Sequence, residues 1–182
     1  MNAIEAVVSF RTRTFRSSIT RPANTDVYAA GDAICAVTTN DHFTFGAASN
    51  DNTKTPGRMG GPLSGTINSV RLHSSANQAT KLQGELWLFT SDIVNVADNA
   101  AFAPTDAEML TLVAIVPIPL ANWYVGDSTA GSVGNAVAVV IGIDMSIITA
   151  GNGILYGQLV ARNSYAPVSG EVFTCDLGWR QD

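Results

Sequence analysis

At 182 residues, with 46% apolar and only 14% charged side chains, the chain is long enough to build one core without disulfide or metal staples. Its charge fraction lies well below the quarter or so usual for soluble domains, and a chain so poor in charge gains by hiding surface in an oligomer or on a larger assembly. The net charge of −5 argues against general nucleic-acid binding, which rests on neutralising phosphates; no run approaches the about 18 consecutive apolar residues of a membrane-spanning helix.

The two distant cysteines, Cys35 and Cys175, make no disulfide framework and read as buried thiols, in keeping with synthesis in a reducing cytosol. The opening MNAIEAVVSFRTRT places its arginines after its apolar residues, the reverse of a secretory signal. Charge is uneven along the chain. Residues 1–25 hold four arginines (Arg11, Arg13, Arg16, Arg21) and one acid, a net +3; residues 26–182 hold six basic and fourteen acidic residues, a net −8. A basic arm on an acidic body suits docking of the arm onto an acidic surface.

In chain order, Ile4 to Phe15 is expected to be extended, with Arg11 and Arg13 on the same side. Pro22 keeps Arg21 out of the helical region, and Gly31-Asp32 marks a turn before a strand at Ala33 to Thr38. Ser49 to Ser64 is almost entirely turn-forming, a length of loop uncommon unless it binds something. Strands follow at Thr66 to Ser74, with Val70 and Leu72 inward, and at Leu82 to Thr90. In the latter, Leu82, Leu86 and Leu88 share one face and Glu85, Trp87 and Phe89 the other. Thr105-Asp106-Ala107-Glu108 matches a capping box and predicts a short helix from Thr105 to Leu110. Leu110 to Ile118 is apolar on both faces and predicts a central strand ending near Pro117; Ala136 to Ile143 predicts a second fully buried strand. Asn152-Gly153 is a hairpin signal, either as a two-residue turn or within a longer connection, with Ile154 to Arg162 as the return strand. Glu171 to Leu177 is the last strand, with Phe173, Cys175 and Leu177 on one face.

Seven to nine short strands with at most one or two short helices define an all-β chain, a two-sheet β-sandwich or jelly roll. The expected organisation is an extended basic arm or strap over residues 1–32 and a sandwich body over 33–182.

Residue types that carry chemistry do not cluster. His42 beside Asp41, and His73 alone on a strand, match no zinc spacing. Gly61-Pro62-Leu63-Ser64-Gly65 places its serine one residue late for a nucleophile elbow and reads as a turn. Gly151-x-Gly153 lacks the lysine of a phosphate loop. The acids stand singly near turns (Asp26, Asp32, Asp51, Asp92, Asp98, Asp127), where Asp bonds neighbouring backbone. The chain is therefore read as a non-enzyme with no catalytic residue, metal or cofactor; a carboxylate pair assembled only in space is the enzymatic alternative. Trp87, Trp123, Tyr124 and Trp179 are candidate sugar platforms, with packing at a sheet rim the preferred role for Trp123 and Tyr124.

One stretch carries a resemblance. Arg21-Pro22-Ala23-Asn24-Thr25, then Tyr28, then Ala30-Gly31-Asp32, resembles an R-P-A-N-T-x-x-Y-x-A-G-D stretch near the N-terminus of phage virion proteins. Leu86 to Asp92 and Asp98 to Met109 extend the likeness. The resemblance implies a head decoration (cement) protein, or a related structural protein of the virion, and brings no catalytic residues. Its partners would be the major capsid protein and further copies of itself, most simply a trimer, on the outer capsid surface; neither nucleic acid nor membrane is implied. Under that reading Arg21 to Thr25 is a strap stiffened by Pro22, and Tyr28 an interface residue. The expected capsid contacts are Arg11, Arg13, Arg21, Asn24 and Tyr28, with Lys54, Pro56, Arg58 and Met59 of the long loop. The alternative is a carbohydrate- or host-binding module of a tail or head fibre, using Trp123 and Tyr124.

Overall fold

The computed structural model describes residues 11–36, 41–46, 64–125, 136–148 and 153–181. These form two antiparallel sheets. The first runs in the order β1 (Arg11–Thr20), β10 (Val172–Gln181), β4 (Ser64–Ser74), β8 (Ala136–Ile148), β7 (Trp123–Val125). The second runs β2 (Ala33–Ile34), β9 (Leu155–Ala161), β5 (Gly84–Phe89), β6 (Leu112–Ile118), with β3 (Phe43–Phe45) on the same edge of β9 as β2. The all-β, two-sheet sandwich expected from the strand pattern is the observed architecture.

Alternation explains why the sheets face each other. Phe15 and Ile19 of β1, Val70 and Leu72 of β4, and Phe173, Cys175, Leu177 and Trp179 of β10 are buried on one sheet. Phe43 and Phe45 of β3, Leu86 and Leu88 of β5, Val116 and Ile118 of β6, and Leu155 and Leu159 of β9 meet them from the other. On β9, a side chain at Gly157 would strike the Phe45 ring at 2.8 Å, so that ring lies directly on backbone. The helix α1 (Asp106–Met109) forms where the capping box placed it. Glu108 N donates to Thr105 Oγ1, and Thr105 N donates to Glu108 Oε2 at 2.6 Å.

Three strand expectations are corrected. β6 is an edge strand, and Ile115 on it is 39% exposed; Pro117, which lacks an N–H, is the residue that suits an edge. β8 is not fully buried. Ala136 and Ala138 face the core, but Ile141 is 77% exposed, because the outer face of its sheet has nothing over it among the described residues. β9 does not return along β8 as a hairpin; it crosses to the other sheet and pairs with β2, β3 and β5. Asn152 and the end of the expected strand to Thr38 lie outside the described residues.

Residues 11–32 do not stand apart from the body. β1 pairs with β10 over ten residues, from Arg11↔Gln181 to Thr20↔Val172. Tyr28 bridges to Tyr165 and Asp32 to Ala101.

Candidate functional site

The Arg21–Asp32 segment leaves β1 at the end of the sandwich where β10 begins. Arg21 N donates to Glu171 O at 3.0 Å, and Gly170 N donates to Pro22 O at 3.2 Å. Tyr28 and Tyr165 exchange backbone bonds of 3.0 and 3.3 Å, and their rings stack at 6.4 Å. Gly31, at φ +103°, then turns the chain into β2.

The side chains of this segment close on one another. Arg21 and Tyr28 are almost wholly buried, at 1% and 0% exposure. The Arg21 guanidinium donates from Nε to Tyr28 Oη, from Nη2 to Asn24 Oδ1 and Asp98 Oδ2 at 3.2 Å each, and from Nη1 to Val168 O at 3.4 Å. Tyr28 Oη donates to Asp98 Oδ1 at 2.6 Å, and Cys35 N donates to the same oxygen at 2.9 Å. A buried charge is tolerated only when paired and hydrogen-bonded, and here both charges are. Burial, with the Asp98 hydrogen bond, pushes the Tyr28 phenol well above its ordinary range. Beside this network Glu171, also buried, accepts from Tyr165 Oη at 2.7 Å, from Ser74 Oγ, and from Val168 N at 3.2 Å.

These positions correct part of the expected contact set. Arg21 and Tyr28 are interior residues that hold the strap to the fold and are not open to a partner. Asn24 is half-buried and bound to Arg21. Arg13 lies on the same side of β1 as Phe15 and is half-buried. Arg11 begins β1, but its side chain, like Lys54, Pro56, Arg58 and Met59, lies outside the described residues. Trp123 packs against the core and donates its indole N–H to Leu82 O at 2.6 Å, whereas Tyr124 is 64% exposed. Trp87 and Phe89 both pack edge-on against Phe102, and Trp179 is buried. The candidate aromatics therefore do not form one exposed platform.

The outer face of the first sheet holds what residue-by-residue reading missed. Across one row, Arg16 of β1 lies opposite Asp176 of β10, which lies opposite Arg71 of β4, which lies opposite Val139 of β8. Asp176 is 5% exposed. Arg16 donates to it from Nε at 2.6 Å and Nη2 at 2.9 Å; Arg71 donates from Nε at 3.0 Å and from Nη2. Burial acts to raise the Asp176 pKa, but the two guanidiniums outweigh it and hold the carboxyl below its ordinary value. The arginine side chains themselves remain 64% and 52% exposed.

Among the described residues, the remaining titratable groups show no convergence of nucleophile, base and acid. The Cys35 thiol is pushed up to about 12 by burial, against a lowering contact from Gln158. Burial likewise raises Cys175. His42 Nε2 lies 3.1 Å from Asp92, yet burial lowers the imidazole pKa, and Nδ1 has no hydrogen-bond partner among the described residues. Among the described residues, no three His, Cys, Asp or Glu side chains are grouped as a metal site would require. In comparison with known proteins, no family model matches the chain, and no curated protein matches it.

Proposed function

We propose that this chain is a structural protein of a phage virion, a decoration protein that binds the outer capsid surface and bridges neighbouring shell subunits as a homo-oligomer. The observation that carries the reading is the Arg21–Asp32 stretch. It resembles a segment of phage virion proteins, and its distinctive residues act as one unit: Arg21, Asn24 and Tyr28 all bond within a single buried network on Asp98. The function is carried over from that resemblance as analogy. A charge-poor, acidic chain accords with assembly, which hides surface that charge does not keep soluble. Many copies on a lattice turn modest single contacts into durable attachment.

The mechanism is burial of surface across subunit boundaries, which raises the cost of separating the shell. The test is mass and copy number in purified particles. Decoration requires an amount stoichiometric with the major shell protein. A few copies per particle would replace it with the fibre reading, in which the exposed Tyr124 is the aromatic to test against glycans.

A further inference from the structure

We propose that the outer face of the first sheet is the docking surface, and that its occupant is a protein surface bearing carboxylates beside apolar side chains. The inference rests on the virion reading above for the identity of that partner, the shell protein, but its chemistry stands on this face alone.

The face has two halves. Over β1, β10 and β4 it presents Arg16 and Arg71 around the sunken Asp176, with the exposed Arg180 further along β10. Over β8 and β7 it presents Val137, Val139, the 77% exposed Ile141 and the 64% exposed Tyr124. The halves are contiguous, since Arg71 pairs with Val139, His73 with Val137, Ser69 with Ile141, and Val137 with Tyr124.

The arginine pair is pre-organised. Each guanidinium is fixed on Asp176 through Nε and Nη2. Among the described residues neither Nη1 has a partner, so one donor edge of each remains to be used. Two strand spacings, about 10 Å, separate the two backbones, with the neutralising carboxylate below them. Little rotamer entropy is left to lose on binding. Planar guanidiniums held this way suit carboxylate oxygens.

Charge complementarity selects the occupant. The whole chain carries −5, yet the basic half of this face sets Arg16 and Arg71 around the single carboxylate of Asp176. An acidic partner is repelled by the body and attracted here, which fixes its orientation as well as its approach. The apolar half supplies the area that an ion-pair patch lacks.

Two variants test this. Ile141→Asp adds a like charge at an exposed position. The triple Arg16→Gln/Asp176→Asn/Arg71→Gln removes the charges without leaving a buried carboxylate unpaired; Ile141→Asp keeps the test alive if the triple fails to fold. Amide shifts of the native protein are followed on adding a short Glu-Leu-Glu repeat peptide, with a Lys-Leu-Lys peptide as control. Shifts confined to β1, β10, β4, β8 and β7 with the acidic peptide, weakened by about tenfold or more in both variants, support the proposal.

Shifts elsewhere, or equal response to both peptides, overturn it. A sulfated polysaccharide that binds these arginines while the acidic peptide does not would also overturn it. So would an oligomer that Ile141→Asp converts to monomer, since a second copy would then own the face. Rebinding to particles stripped of the protein separates this inference from the reading it rests on. Native-like rebinding by both variants sinks the docking face and leaves the virion role standing. Absence of the protein from particles removes the virion role, while the peptide result still decides the face.

Discussion

The two sheets of the sandwich are built by the same alternation, yet their outer faces have opposite fates. On the second sheet the chain covers itself. The segment after β5 pairs with residues 31–33 through Ala33 N to Ala100 O at 2.8 Å and Phe102 N to Gly31 O at 2.9 Å. Phe102 then lies against Trp87 and Phe89, at 5.6 and 6.4 Å between ring centres. Phe89 and Gln158, which point outward from their strands, are at 0% and 1% exposure. On the first sheet nothing among the described residues returns over the face, and Ile141 stands at 77%. The ion pairs follow the same division. Arg21–Asp98 is sealed, with side-chain exposures of 0% and 5%, whereas Asp176 shares its guanidiniums with solvent. One face has spent its outward residues on the fold, and the other leaves them exposed among the described residues.

That contrast is sharpened first by the sealed side. Arg21→Ala leaves Asp98 buried without its cation, and unfolding in urea is expected to register a loss of about 3–5 kcal/mol. Arg16→Ala, on the open side, is expected to lose about 1 kcal/mol or less, because its exposed side chain is screened and Arg71 remains on Asp176. A similar pair of single changes compares the apolar residues. Phe89→Ala is expected to cost about 3–5 kcal/mol, and Ile141→Ala to stay within about 0.5 kcal/mol. Equal losses at Phe89 and Ile141 would mean that the open face is covered in solution and would end the distinction.

Much of the fold was legible in the sequence because strand alternation is local. The inward set Phe173, Cys175 and Leu177, the strand around Val70 and Leu72, and the capping box at Thr105 all follow from residues a few positions apart. The strap was not legible in this way. An arginine before proline and a tyrosine among turn formers carry the local marks of surface, and the residue that buries them, Asp98, lies 77 and 70 positions away. For the same reason, apolar runs at Leu112 to Ile118 and Ala136 to Ile143 revealed strands but not whether anything lay outside them. The open face needed cross-strand register, since Arg16, Asp176 and Arg71 form a row only after three distant segments pair. An inward role for Arg21 and Tyr28 required the structure.

The cover itself is tested at a smaller scale. Glu108 bonds Val94 N and Thr105 N at 2.6 Å each, tying the covering segment to the first turn of α1. Thr105→Ala removes the reciprocal cap and is expected to cost about 1 kcal/mol. Hydrogen exchange should quicken at Val94 and Glu108 while β10 and β4 keep their protection. Uniform quickening would mean that the cover and the sheets open together.

The smallest effect concerns sign more than size. In the native protein the Asp176 pKa is depressed, since Arg16 and Arg71 outweigh burial. The unfolded state therefore binds the proton more readily as pH falls. The stability this group contributes is present above its ordinary value of 3.8 and lost as pH drops through the lower folded value. In Arg16→Gln/Arg71→Gln only burial remains to act on Asp176, and the folded pKa rises above the unfolded one. Its contribution then reverses: it is present at acid pH and lost as pH rises through the raised folded value. Urea midpoints compared between pH 3 and pH 6, roughly bracketing the ordinary carboxylate range, should fall toward acid for the native chain. Relative to the native chain, the double variant should lose less on acidification. Parallel curves would show that the arginines do not govern this carboxylate, and the row they form would then be coincidental packing on an open face.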